Sequence, residues 1–139
     1  MRYAVTLQQD DNGTILVCVP DLPSAFTFGV DREDALTRAV EAIETAIMGH
    51  IAADEDIPPP RTEGEISVAL PVSTVAKVEL YRAMRAEGIG KDALAKRLNA
   101  PLTQIDRLLD LRRDSRLDDL ERAFVGLGRT LDIVVGKAA

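Results

Sequence analysis

Residues 91–110 have the sequence KDALAKRLNAPLTQIDRLLD, which predicts two short helices joined by a tight turn. The small side chain of Ala95 lets the two helices approach closely. We place Asn99 in the turn, because asparagine adopts the left-handed backbone conformation at a lower cost than most residues other than glycine. This spacing predicts a helix-turn-helix. The positions expected to form its core are Leu94, Leu98, Ala100, Ile105 and Leu108.

The second helix of such a unit enters the major groove of DNA by its N-terminal end. Thr103, Gln104 and Arg107 are therefore predicted to face bases, since glutamine can pair with adenine and arginine with guanine. The alternative to a DNA-binding unit is an ordinary helical hairpin whose Arg and Lys side chains are simply exposed to solvent. The cations predicted to contact phosphates are Lys96, Arg97, Arg112 and Arg113.

The rest of the second half is also predicted to be mainly helical. One helix ends near Gly88, and another is expected to be capped by Ser115 with Asp118. The chain then alternates branched residues from Thr130 to Val135, which predicts a strand. An unpaired strand invites pairing with a second chain, so we expect a homodimer joined through this half.

The first half alternates polar and apolar residues and predicts a different architecture, β-β-β-α-β. A hairpin turns at Asp11-Asn12-Gly13, a third strand ends near Gly29, and Asp31 caps an amphipathic helix. A fourth strand covers Ile66 to Leu70. The fold class is thus α+β, with one domain over residues 1–71 and a helix-turn-helix domain with a C-terminal strand over residues 72–139.

Charge is unequally divided along the chain. The first 60 residues contain 3 basic and 11 acidic residues, a net charge of −8, whereas the remainder carries 14 basic and 12 acidic residues, a net charge of +2. Such a split predicts two partners of opposite charge, the second of them a nucleic acid, unless both sets of charges are simply solvated.

The composition narrows the class of protein further. No apolar run is long enough to cross a bilayer, and the first residues lack the layout of a signal peptide, so we expect a cytoplasmic protein without membrane contact. A single cysteine, Cys18, excludes an internal disulfide, and its apolar neighbours predict a buried thiol in a strand. No metal or cofactor site is indicated.

The order of these motifs resembles that of HicB antitoxins. The second half resembles their Xre-like DNA-binding domain in Leu94-Ala95-Lys96-Arg97-Leu98 and in the run from Ile105 to Asp110. The first half resembles their hairpin, Pro-Asp-Leu-Pro-Gly segment, Thr-x-Gly strand and alanine-rich helix. Ser24 replaces the usual glycine, and Val30 replaces a more polar residue. The matching stretches are Pro20-Asp21-Leu22-Pro23-Ser24, Thr27-Phe28-Gly29 and Asp34-Ala35-Leu36.

The resemblance covers nearly the whole chain and implies a fold and a function. It implies a partial RNase H-like domain without nuclease activity, which sequesters a small HicA-type RNA-cleaving toxin, fused to a domain that binds operator DNA and represses its own operon. A toxin that cleaves RNA is expected to be basic, which agrees with the acidic first half. Charge alone suggests four toxin-binding residues: Asp10, Asp11, Glu41 and Glu44.

Two other functions remain open from the sequence. Asp10, Asp11 and Asp21 could form a metal site for RNase H-like hydrolysis, but two of them lie beside a hairpin turn where aspartate is common. The only histidine, His50, has no evident Cys or Ser partner, so no catalysis is indicated. Alternatively, the chain is a stand-alone transcription regulator whose first domain senses a small ligand.

Overall fold

A computed structural model describes residues 1–138 and confirms the mixed α+β class, with strands followed by helices. The chain divides into two compact units, Met1–Val75 and a second that begins at Ala76. The elements are β1 (Arg2–Ala4), β2 (Thr6–Gln9), β3 (Ile15–Cys18), β4 (Phe26–Gly29), α1 (Arg32–Ala52), β5 (Ser67–Ala69), α2 (Val72–Glu87), α3 (Lys91–Leu98), α4 (Leu102–Leu108) and α5 (Leu117–Gly126).

The sheets of the first unit are antiparallel. The predicted first strand is present but changes partner at Val5, so that β1 pairs with β5 while β2 pairs with β3. Val5 itself donates its N–H to the carbonyl of Ile66 at 3.0 Å. The other sheet has the order β2-β3-β4, which leaves β4 as its last strand.

The predicted hairpin between β2 and β3 is confirmed. Gly13 has a positive φ of 86°, a conformation that favours glycine. The carboxamide oxygen of Asn12 accepts hydrogen bonds from the N–H of Thr14 at 3.1 Å and from its hydroxyl at 2.7 Å. These bonds satisfy polar groups of the turn within the turn itself and so help to fix the register of the two strands.

Helix α1 packs its apolar face on the sheet, as the sequence predicts. Asp31 is its N-cap and accepts a hydrogen bond from the N–H of Asp34 at 2.8 Å. A Cβ atom added to Gly29 at the end of β4 would lie within 3.0 Å of the backbone of Ala35. Only glycine therefore allows this close approach of strand and helix. The buried residues of α1 are Ala35, Ala39, Ile43, Ala46 and Ile47.

The Pro-Asp-Leu-Pro segment after β3 has a structural role. One carboxylate oxygen of Asp21 accepts the N–H groups of Arg61 and Thr62, each at 2.9 Å, and the other accepts the Thr62 hydroxyl at 2.8 Å. These bonds, led by those from Thr62, hold the pKa of Asp21 below its ordinary value. Leu22 beside it is fully buried. The segment thus anchors the loop that leads to β5.

Three helices of the second unit end in the same way. Gly88, Asn99 and Gly128 follow α2, α3 and α5, and each has a positive φ. In each case two backbone N–H groups bond back to carbonyls of the last turn, the arrangement of a Schellman motif. These terminations keep the helices short.

Three sequence predictions are wrong in detail. Cys18 lies in a strand but is exposed, because alternation buries Val17 and Val19 and turns Cys18 to the opposite face. Thr130 to Val135 is not a strand, since a ladder needs a neighbour and all strands among residues 1–138 belong to the first unit. Helix α5 has Arg116, not Ser115, as its N-cap, without a side-chain capping bond.

Candidate nucleic-acid interface

The turn between α3 and α4 has the conformation predicted for it. Asn99 is left-handed, with φ 50° and ψ 47°. Its N–H donates to the carbonyl of Lys96 at 3.2 Å, and the N–H of Ala100 donates to the carbonyl of Ala95 at 3.0 Å. Pro101 then precedes α4 as its N-cap. The chain therefore leaves α3 and starts a second helix after three residues.

Helix α4 has one buried and one exposed face. Ile105 and Leu108 are buried, whereas Thr103 and Arg107 are exposed and Gln104 is half-buried. Leu102 at its first position is 43% exposed, although it is apolar. An exposed apolar residue beside a hydroxyl, an amide and a guanidinium suits a surface that contacts base edges.

The structure brings four of the predicted DNA-binding residues together. Thr103, Gln104, Arg107 and Arg113 line a single open cleft. Arg116 lines the same cleft and was not among the predicted contacts, although it belongs to the cationic run that starts at Arg112. Two carboxylates, Asp114 and Asp119, also line this cleft, so cations exceed acids there by one.

The other three predicted phosphate contacts lie elsewhere. Lys96 is exposed but lines a separate cleft with Asn99 and Pro101. Arg97 donates a hydrogen bond from Nη1 to the carbonyl of Gly126 at 3.0 Å, which ties α3 to α5. Arg112 is exposed in the loop after α4. Arg97 thus has a structural partner within the unit, a role that its sequence position did not indicate.

Lys77 of α2 is the residue that sequence reasoning missed. It is one of the cations of the basic second half of the chain, yet it is only 1% exposed. Its ammonium donates to the carbonyls of Arg107 at 3.0 Å, Asp110 at 2.8 Å and Arg113. All three N–H groups of the ammonium are therefore satisfied. Burial lowers the pKa of Lys77, and nearby Asp110 and Asp114 partly oppose this.

This buried ammonium stabilises the C-terminal end of α4. The last carbonyls of a helix have no partner within it and carry partial negative charge, so a cation there is stabilising. Lys77 meets the carbonyl of Arg107 in the last turn and then holds the loop up to Arg113. The carboxylate of Asp110 accepts the N–H of Arg112 at 3.0 Å and completes this loop.

The four predicted toxin-binding acids lie on two elements of the first unit. Asp10 and Asp11 are exposed at the β2–β3 turn, where the carboxylate of Asp10 accepts the N–H of Asp11 at 2.7 Å. Glu41 is exposed on α1. Glu44 is half-buried and accepts the Thr74 hydroxyl at 2.5 Å. Glu44 therefore helps to hold α1 against the start of α2.

The metal-site alternative finds no support in the geometry. Asp21 is committed to the loop at Arg61 and Thr62, as described above. Within residues 1–138, no three side chains of the His, Cys, Asp and Glu types are grouped so that they could hold a metal ion. In the same part of the chain, none of the helices is both long and apolar enough to span a membrane.

The fold and these surfaces define an α+β protein with an acidic unit and a separate unit whose exposed helix is lined by cations. The sequence model of a family described as HicB-like antitoxin of bacterial toxin-antitoxin system matches residues 2–79. The chain is 35% identical to Antitoxin HicB 2 of Photorhabdus laumondii over 134 residues, 96% of each chain. It is 31% identical to Antitoxin HicB of Escherichia coli K12, covering 97% of this chain and 99% of that protein.

This chain therefore belongs to the HicB-like antitoxin family. A shorter relative is the UPF0150 protein Ta0767 of Thermoplasma acidophilum, which is 38% identical over 68 residues. That alignment covers 49% of this chain but 97% of the relative. About half of this chain is thus similar to nearly the whole length of a smaller protein.

Proposed function

We propose that this chain sequesters a HicA-type mRNA-cleaving toxin and binds operator DNA to repress its own operon. The observation that carries the proposal is the near full-length similarity to antitoxins of this name, in a family of toxin-antitoxin systems. As an antitoxin it acts by binding and not by catalysis. A system of this kind requires a toxin partner.

The two tasks are assigned to different units. Residues 1–71 neutralise the toxin, and residues 72–139 bind DNA and form the homodimer. The charge of each unit supports this division, because residues 1–75 contain 13 acidic and 4 basic residues while the rest contains 10 acidic and 13 basic residues. An RNA-cleaving toxin is expected to be basic and is attracted to the first unit, whereas DNA is attracted to the second.

DNA binding is proposed for α3 and α4 as a helix-turn-helix. The tight turn at Asn99 and the exposed face of α4 support it, with Thr103, Gln104 and Arg107 directed at bases. Arg113 lies beside them to contact phosphate, and Arg116 joins it. Lys96 and Arg112 remain as outer phosphate contacts.

A homodimer through the second unit follows from the same proposal, because helix-turn-helix proteins grip two half-sites. The exposed apolar residues Ile133, Val134 and Val135 near the C-terminus offer a surface for a second copy. The complex is expected in the cytoplasm, where both mRNA and operator DNA are found.

The experiment is co-expression of the chain with the small basic reading frame beside its gene. Co-purification of the two products, together with a gel shift on the DNA upstream of the operon, supports the proposal. A chain that binds the upstream DNA but no neighbouring protein is instead a stand-alone regulator. Half-site spacing, measured by footprinting, is expected near one helical turn of DNA, roughly 34 Å, or a multiple of it.

A further inference from the structure

The outer face of the β2-β3-β4 sheet is an uncharged surface within an acidic unit. Two rows of three residues lie directly opposite one another across the strands on this face. Alternation turns both rows away from the face that α1 covers. The first row is Thr6, Cys18 and Phe26, and the second is Gln8, Leu16 and Phe28.

Aromatic side chains are unusually exposed on this face. Phe26 is 62% and Phe28 is 48% exposed, Cys18 is exposed, and Leu16 is half-buried. The chain has only three phenylalanines, and two of them lie here. Exposed aromatic residues that adjoin one another are typical of the centre of a protein interface. We call these four residues the sheet patch.

The strand that carries both phenylalanines is also the end of its sheet. β4 has the sequence FTFG and contains neither a charged residue nor a proline. Natural proteins usually protect such an edge with a lysine, a proline or a bulge. An edge without this protection can accept backbone hydrogen bonds from a partner as well as apolar contacts.

Charge decides what kind of partner can cover the sheet patch. The unit has a net charge of −9, so a nucleic acid is repelled, and so is the acidic unit of a second copy. At one end of the sheet, Ile15 of β3 pairs with Gln9 of β2 and with Gly29 of β4. The acids that follow these strands in the sequence therefore lie at that end: Asp10, Asp11 and Asp31. A basic protein can meet these carboxylates while an apolar part of it covers the patch.

We infer that the sheet patch, together with the acidic end formed by Asp10, Asp11 and Asp31, is the docking surface for the basic toxin. This inference rests on the proposed function, since it assigns the surface of that same interaction. It moves the contact away from α1, where Glu41 and Glu44 lie. The apolar centre supplies most of the affinity, and the carboxylates speed association.

The test uses the full-length chain and the purified product of the adjacent reading frame. The variant is Phe26→Ser with Phe28→Ser, which removes both aromatic rings without adding charge. Val72→Ser is the matched control, because Val72 is 77% exposed and lies outside the sheet. Glu41→Ala reports on the α1 face. Circular dichroism and the operator gel shift show that each variant is folded.

The double serine variant is expected to bind the toxin at least about 10-fold more weakly, while Val72→Ser and Glu41→Ala bind it as the wild type does. Unchanged toxin binding by the double variant overturns the sheet patch as the docking surface and leaves the antitoxin function standing. If the double variant keeps toxin binding but loses self-association, as measured by sedimentation, the sheet patch is likewise overturned as the toxin-docking surface. If the wild-type chain itself fails to bind the toxin, the proposed function fails.

Discussion

The ammonium of Lys77 lies 2.8 Å from the main-chain carbonyl oxygen of Asp110, and the two residues are 33 positions apart. The same ammonium also binds the carbonyls of Arg107 and Arg113. One buried cation in α2 thus fixes both the end of α4 and the loop behind it. The side chains proposed to contact DNA, Arg107 and Arg113, are held at their backbones by this group.

We predict that Lys77→Met destabilises the second unit and weakens operator binding. The change removes the ammonium from three carbonyls. Those of Arg107 and Asp110 keep a backbone N–H donor, whereas that of Arg113 loses its donor. One such unsatisfied acceptor costs about 1 to 3 kcal/mol, and the free energy of unfolding, measured in urea, should fall by about that amount. Lys77→Arg should not restore it fully, because the N–H groups of a guanidinium lie in one plane on three nitrogens and cannot replace three donors that diverge from a single nitrogen.

Lys91→Met is the control for this prediction. The ammonium of Lys91 is 2.8 Å from the carboxylate of Asp106, but both side chains are about half exposed. Surface pairs of this kind contribute roughly 0 to 1 kcal/mol. Equal losses of stability in Lys77→Met and Lys91→Met would show that the buried ammonium has no special role.

A second prediction separates base contacts from phosphate contacts. Arg107→Ala should weaken operator binding by about 1 to 3 kcal/mol for each half-site and relax base preference there. Arg113→Ala should weaken binding to all DNA sequences and reduce the slope of log affinity against log salt by about 1. Gel shifts on operator and scrambled DNA at several salt concentrations measure both effects.

Arg97→Ala provides a contrast within the same set of cations. Because Arg97 bonds the carbonyl of Gly126, its removal should lower the stability of the chain by roughly 1 kcal/mol. The salt slope of DNA binding should stay as in the wild type. A salt slope that falls as much as in Arg113→Ala would identify Arg97 as a phosphate contact after all.

A third prediction concerns the close approach of β4 and α1. Gly29→Ala should destabilise the first unit by about 1 to 3 kcal/mol, because its Cβ collides with the backbone of Ala35. Gly49→Ala in α1 is the control, since a Cβ there meets nothing within 4 Å. That change should stabilise the helix by roughly 0.5 to 1 kcal/mol. Thermal unfolding of the two variants should therefore shift in opposite directions.

A fourth prediction is a pH dependence of stability that comes from Asp21. Its pKa in the folded chain lies below the ordinary 3.8, mainly because of the hydrogen bonds from Thr62. The stabilisation is therefore present above that value and is lost as the pH falls through the folded-state pKa. Asp21→Asn should remove this part of the acid dependence. Thr62→Val, which removes only the hydroxyl, should remove less.

The measurement is the free energy of unfolding at neutral pH and at several acidic pH values. At neutral pH, Asp21→Asn should be less stable than the wild type, and the difference should narrow as the pH falls. Equal acid dependence in the wild type and Asp21→Asn would mean that the loop at Arg61 does not depend on the carboxylate.

Local signals in the sequence predicted local structure well. Asn99 was expected to be left-handed and is, and Asp31 was expected to cap α1 and does. Both outcomes depend on contacts within a few residues. Alternation predicted the strands for the same reason, but it did not show which face of β3 the helix would cover. Cys18 was therefore placed on the wrong side.

Long-range contacts could not be predicted in this way. Lysine is almost never fully buried unless it is paired, so the sequence alone offered no reason to expect a buried Lys77. Its carbonyl acceptors are 30 to 36 residues away, in α4 and the loop that follows it, and only the folded unit brings them beside Lys77. One sequence signal was available: Lys77 lies four positions before Tyr81 and therefore on the same face of α2, and the structure buries both residues. The partner of Arg97 is 29 residues distant and gave no such signal.

Antitoxin function is tested most directly by rescue of growth in cells that express the neighbouring toxin. We predict that the wild-type chain and Arg107→Ala both restore growth, because Arg107 belongs to the unit proposed to bind DNA. The double variant Phe26→Ser with Phe28→Ser, produced at the same soluble level, should not restore it. Continued growth arrest in the presence of the soluble wild-type chain would contradict the proposed antitoxin function.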